Sequence, residues 1–127
     1  MNILHVLSNR KWTERSEPVA DLVLAQQALG HNAQLACGQW TLETNHESSA
    51  EVQAKRKGLD PIILHLDKHF SWSNMGKDVP AIAHLFDTAH IDVVHTHMEN
   101  GHLLSALARR KSKQQPLLIN SCYNVKG

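Results

Sequence analysis

Five short apolar runs recur along the chain, and amphipathic or polar stretches fill the intervals between them. The first run, Asn2–Leu7 (NILHVL), is apolar on both alternating faces, as a strand buried inside a parallel sheet must be. Polar residues follow from Ser8 to Glu17. Residues 18–29 then place Val19, Leu22, Val23 and Leu29 on one broad helical face, with Ser16 suited to the N-cap, Pro18 to the first turn and Gly30 to the stop. Residues 32–37 (NAQLAC) carry a weaker strand pattern that fits a place nearer a sheet edge. A polar connection covers 38–45, and a short helix is expected over 48–57, closed by Gly58.

The third strand is expected over 61–66 (PIILHL), followed by a long loop at 69–77 that carries Trp72 and several serines. A third helix over 78–89 takes its stripe from Val79, Ile82, Ala83, Leu85 and Phe86. Residues 91–96 (IDVVHT) read as strand four, residues 101–111 as a fourth helix with Leu103, Leu104, Leu107 and Ala108 inward, and residues 116–121 (PLLINS) as strand five. Strict alternation of strand and helix with short connections predicts an α/β fold: a Rossmann-like, doubly wound parallel sheet of about five strands, in the order 3-2-1-4-5, with helices on both faces.

Composition narrows this only slightly. At 127 residues the chain holds one domain, and its 42% hydrophobic content is that of a globular protein. A formal net charge of +1 gives no global reason to expect nucleic acid as a partner. Basic clusters at Lys55–Lys57 and Arg109–Lys111 fall near helix carboxyl ends, where cations complement the helix dipole; the alternative use is contact with a membrane surface or a phosphate. The two cysteines, Cys37 and Cys122, make neither a CxxC pair nor a zinc spacing. No signal-peptide pattern and no membrane-spanning run is present, so a cytoplasmic location is expected. Residues 123–127 do not complete a helix after strand five, which reads as an incomplete domain belonging to something longer. An edge strand at 116–121 left uncovered predicts pairing between two copies of the chain.

In a doubly wound sheet ligands bind beyond the carboxyl ends of the strands, where the strand order reverses. That point lies between strands one and four, so residues 8–15 and 97–101 should face each other there, joined by residues 121–124. The first loop is not GxGxxG, and no acidic residue ends strand two, which argues against a dinucleotide site. Asn9, Thr13 and Glu14 can bond hydroxyl groups, Trp12 offers a stacking face, and Arg10 and Arg15 suit a phosphate. A polyhydroxylated ligand would use all of them; the simpler alternative is a solvated loop around one partly buried Trp12.

His95 and His97 share a face of strand four, since residues two apart on a strand point the same way. They could be two metal ligands with His102 or Glu99 as a third. Alternatively His95 packs under a helix while His97 reaches the site as a hydrogen-bond donor, beside Glu99 and Asn100. The spacing supplies no clear third ligand, so no metal set is assigned. Cys122 beside His97 offers a Cys–His pair, against the simpler reading of a thiol packed at a strand end. No GxSxG, P-loop or HExxH motif is present.

Several segments together resemble the amino-terminal domain of GT-B glycosyltransferases of family 4. They are residues 2–8 (NILHVLS), 19–31 (VADLVLAQQALGH), 57–62 (KGLDPI), 91–97 (IDVVHTH) and 116–119 (PLLI), in the family's order and over nearly the whole chain. The resemblance implies a retaining enzyme with two Rossmann-like domains, the first binding a sugar, glycan or lipid acceptor and the second a nucleotide-sugar donor, with no further cofactor and no metal. On that reading residues 1–127 are the acceptor-binding part and are not competent alone, because the donor domain is absent. The alternative is a stand-alone binding or regulatory module. Two positions depart from the family pattern. A Gly-Gly pair common in the first loop is replaced by the stretch Trp12-Thr13-Glu14-Arg15. The histidine that often contacts the transferred sugar after strand five falls at Tyr123, which is therefore the residue expected at the catalytic position, with Cys122 and Asn124 beside it as substrate-binding neighbours.

Overall fold

The computed structural model describes residues 1–41, 45–66 and 70–121. Its strands are β1 (Asn2–Leu7), β2 (Asn32–Gly38), β3 (Ile62–Leu64), β4 (Val93–Thr96) and β5 (Leu117–Asn120). Its α-helices are α1 (Ser16–Ala28), α2 (Ala50–Arg56), α3 (Trp72–Thr88) and α4 (Glu99–Lys111), with a single 3-10 turn at His46–Ser48 before α2. The sheet is parallel throughout and ordered β3-β2-β1-β4-β5, the order expected from the alternation.

β1 runs down the middle, which is why its run is apolar on both faces. Leu4 and Val6 point to one side, where Val79, Ile82 and Phe86 of α3 and Leu104 and Ala108 of α4 cover them. Ile3 and Leu7 point to the other side, under Val19, Ala20 and Val23 of α1 and Ala50 and Ala54 of α2. α1 and α4 bury only part of their expected stripes: Leu22, Leu29 and Leu103 remain exposed.

Local chemistry sets the element ends. α1 and α2 both close with a glycine in the left-handed region, Gly30 and Gly58, and the amide after each reaches back to the helix, from His31 to the Gln26 carbonyl and from Leu59 to the Ala54 carbonyl. α3 closes the same way on His90, with φ of 50° and the Ile91 amide on the Phe86 carbonyl. Ser16 does not cap α1 from outside; it is the first helical residue, and its Oγ accepts from the Thr13 amide at 3.0 Å.

The largest departure from the sequence reading is the start of α3. The stretch 72–77 was expected as loop, yet the helix begins at Trp72, capped by Ser71, whose Oγ accepts from the Asn74 amide at 3.4 Å. This first part has almost no apolar stripe, and Pro80 sits inside the helix, where it cannot donate to the Gly76 carbonyl. Packing of the later turns against β1, β4 and α4 carries the exposed first turn along. His69, the start of the expected loop, lies outside the described residues.

Candidate functional site at the switch point

β1 and β4 end side by side, and the chain turns away from each in opposite directions. Ser8, the first residue past β1, is fully buried, and its Oγ accepts from the Gly101 amide in the first turn of α4 at 3.0 Å. That helix has Met98 at its N-cap and no side-chain cap of its own, so Ser8 supplies from beyond another strand the acceptor that a free helix amide needs. The approach is close: a Cβ on Gly101 would lie 3.1 Å from Ser8 Oγ and 3.1 Å from Val6 Cγ1. The β4 ladder continues into the loop through the His97 amide, which donates to the Val6 carbonyl at 3.1 Å.

The first loop is held from the other side. The Asn9 Oδ1 accepts from the Lys11 amide at 3.0 Å, the Trp12 amide donates to the Ser48 carbonyl at 2.6 Å, and the Thr13 amide donates to Ser16 Oγ. Lys11 and Ser49 form an isolated antiparallel bridge, and the Ala50 amide donates to the Arg10 carbonyl. The loop is thus stitched to the start of α2 and leans toward β2. Gly38 is the pivot, because a Cβ there would lie 2.1 Å from the Leu66 carbonyl oxygen and 2.9 Å from that of Asn9. Only glycine lets the backbones leaving β1, β2 and β3 meet at this point.

The sequence-derived candidates therefore divide. Thr13, Glu14 and Arg15 are exposed on the lip of the first loop, as is Glu99 in the first turn of α4. Asn9 and Asn100 are buried beneath them. Arg10 reaches sideways to the His65 carbonyl at 3.4 Å, over the ends of β2 and β3. Trp12 is half-buried against the apolar cluster under α1 and α2, and its indole N–H donates to Glu17 at 2.7 Å. His102 does not join His97; its Nδ1 lies 3.1 Å from Thr96 Oγ1. Cys122, Tyr123 and Asn124 lie outside the described residues.

His97 does not emerge into the loop region. It is buried, with its Nε2 2.9 Å from His5 Nδ1. His95 completes a three-ring group, its ring centroid 4.2 Å from that of His97 and 5.1 Å from that of His5. Burial, together with the neighbouring imidazoles, pushes the His97 pKa down to about 3, and burial also lowers His5 and His95. All three rings are therefore neutral at pH 7. His5 was read from sequence only as part of a strand; the signal that finds it is register, because His5 and His95 are direct partners across β1 and β4.

Two other groups had no sequence signal. Asp78 of α3 is buried, its Oδ1 accepts from the His65 amide at 2.9 Å, and burial raises its pKa. Cys37 is buried at the end of β2, and its thiol is pushed up to about 12, chiefly by desolvation, which leaves it inert. A hollow of about 440 Å³ lies elsewhere, on the outer flank of α2 between Trp40, His46 and Arg56. Its charges are matched locally, Lys55 by Glu51 at 3.2 Å and Arg56 by Glu47 at 2.5 Å, so the switch point rather than this hollow holds the groups suited to a ligand. The remaining cation of that basic run, Lys57, pairs with Glu17 and Asp21. No helix among the described residues is long and apolar enough to cross a membrane.

No protein-family model matches the chain, and no curated protein matches it. Among solved structures it is similar to a candidate UDP-N-acetylglucosamine 2-epimerase from Listeria monocytogenes, at 17% identity and a TM-score of 0.62. The match covers 93% of this chain and 30% of that one, so the chain spans under a third of that protein's length. At this identity the likeness is one of fold.

Proposed function

We propose that the chain is the acceptor-binding part of a retaining glycosyltransferase of the GT-B type, which takes its sugar from a nucleotide-sugar donor held by a second Rossmann-like domain. The observation that carries the reading is the meeting of the β1 and β4 loops, locked by Ser8 Oγ on the Gly101 amide, at the one place where a doubly wound sheet offers a ligand its strand ends. The family resemblance of the strand and helix segments supports the class. A fold shared with a chain whose own name is that of a nucleotide-sugar enzyme is consistent with it.

On this reading Thr13, Glu14, Arg15 and Glu99 bond the hydroxyls of a sugar, glycan or glycolipid acceptor, and Asn9, Arg10, Trp12, His97 and Asn100 hold the two loops from below. Cys122, Tyr123 and Asn124 come next in the sequence after β5, and by the family resemblance Tyr123 is the hydrogen-bond donor to the transferred sugar. The basic end of α4, at Arg109–Lys111, is where a membrane-borne acceptor would touch.

One observation favours a second reading, a non-catalytic binding module. The amides of Lys11, Trp12 and Thr13 are all bonded within the chain, which leaves them unable to cradle a donor diphosphate. Titration of the ¹⁵N-labelled chain separates the two. Sugar acceptors should give saturable shifts at residues 13–15 and 99, and UDP-sugars alone should give none there. Turnover of a nucleotide sugar by this chain alone would overturn the division of labour between two domains, and sugar binding without any rate enhancement after a donor domain is supplied would establish the module.

A further inference from the structure

We propose that His5, His95 and His97 form a binding site for one zinc-class divalent cation, clamped between the two central strands β1 and β4. One ring nitrogen from each lies within 4.8 Å of the other two. This inference does not depend on the glycosyltransferase reading.

The donors come from rigid elements. His5 and His95 face each other in register, and His97, the first residue past β4, keeps the same face through its amide on the Val6 carbonyl. An outer hydrogen bond sets the tautomer of His5 as a metal ligand needs. His5 Nε2 is 2.7 Å from Gln26 Oε1, which can only accept, so the His5 proton sits on Nε2 and the lone pair of Nδ1 points into the group. His95 Nε2 is 2.6 Å from Ser121 Oγ, a hydroxyl that can donate or accept, so this contact holds the ring without setting its proton. Zinc bound by imidazoles at its usual distance spaces the ligand atoms about 3.4 Å apart. The His5–His97 pair at 2.9 Å is a hydrogen bond, His97 Nε2–H donating to His5 Nδ1, so an ion enters as that proton moves to His97 Nδ1 and the two nitrogens part by about 0.5 Å. The ligand atoms lie within 4.8 Å of one another, so His95, the half-exposed member, closes the set by moving inward by about 1.4 Å.

The donor chemistry selects the ion. Three neutral imidazoles with no carboxylate suit zinc, cobalt or copper and offer nothing to magnesium or calcium, which take oxygen ligands. A fourth position stays available from the β5 side, where Leu117 and Ile119, on the same face as His95, are exposed. Because only Met98 separates His97 from Glu99 and Asn100 in the first turn of α4, an ion here also stiffens the switch point.

The test uses the whole chain, stripped with chelator and titrated with Co²⁺. One equivalent should give the visible absorption of a four-coordinate, nitrogen-ligated cobalt, and Zn²⁺ should abolish it. His5→Gln and His95→Gln should each weaken binding at least about tenfold, whereas His31→Gln should not. Should His5→Gln fail to fold, the imidazole ¹⁵N shifts of the unmutated chain decide: zinc must move the His5, His95 and His97 resonances together. Absence of stoichiometric binding, binding that survives both substitutions, or shifts confined to other histidines would overturn the site.

Discussion

Replacing Ser8 by alanine tests the joint on which the switch point depends. Ser8 Oγ is the acceptor for the Gly101 amide, at 3.0 Å and out of contact with water, and α4 has no side-chain cap of its own. Losing an N-terminal acceptor costs helices about 0.5–2 kcal/mol, and a buried amide left without a partner costs about 1–3 kcal/mol. The methyl of alanine occupies the space of the serine Cβ, so no new clash offsets the loss. The expected destabilisation is therefore about 1.5 kcal/mol, read as a lower urea midpoint with unchanged slope. The local signature is sharper. Exchange of the Gly101 amide with deuterium should accelerate about tenfold, since about 1.4 kcal/mol is one decade. The His102 amide, bonded to the Met98 carbonyl at 3.0 Å, should change less. Equal stability of Ser8→Ala and the unmutated chain, with Gly101 exchange unaltered, would refute the cross-strand cap.

Three further outcomes follow from the same geometry. Gly38→Ala forces a Cβ to within 2.1 Å of the Leu66 carbonyl oxygen, so it should cost about 3 kcal/mol or more, and unchanged thermal stability would contradict the three-backbone junction. Asp78 has its folded-state pKa raised by burial, so its contribution to stability is larger at low pH and falls as pH rises through that pKa; Asp78→Asn keeps the acceptor for the His65 amide and should remove this slope, which urea melts at pH 4 and pH 7 would show. β5 is an edge strand with Leu117 and Ile119 exposed, so the chain should associate at high concentration and Ile119→Lys should lower the association; a single monomeric mass for both in light scattering would remove this expectation.

The sheet order was legible because hydrophobic runs such as NILHVL and IDVVHT, separated by helical stripes, leave few ways to stack parallel strands. Gly30 and Gly58 likewise announce their helix ends. What escaped were features set by contacts distant in sequence. The first turn of α3 has no stripe and is helical because its later turns pack. Gly38 looks like any loop glycine until the backbones leaving β1 and β3 are brought against it. His5 and His97 are separated by most of the chain, and only the β1–β4 register brings their rings to 2.9 Å. The first loop shows the converse. Its residue types suggested a sugar grip, and the structure spends Trp12 on packing and on Glu17 while leaving Thr13, Glu14 and Arg15 at the surface.

The proposal that this chain grips an acceptor sugar at the switch point is tested most directly by mapping amide shifts while titrating the chain with a panel of mono- and oligosaccharides and their lipid-linked forms. The account predicts that at least one acceptor gives saturable shifts centred on residues 13–15 and 99, weakened by Glu14→Ala and by Glu99→Ala. Saturable shifts confined to the hollow on α2, or no response at the switch point to any sugar in the panel, would contradict it.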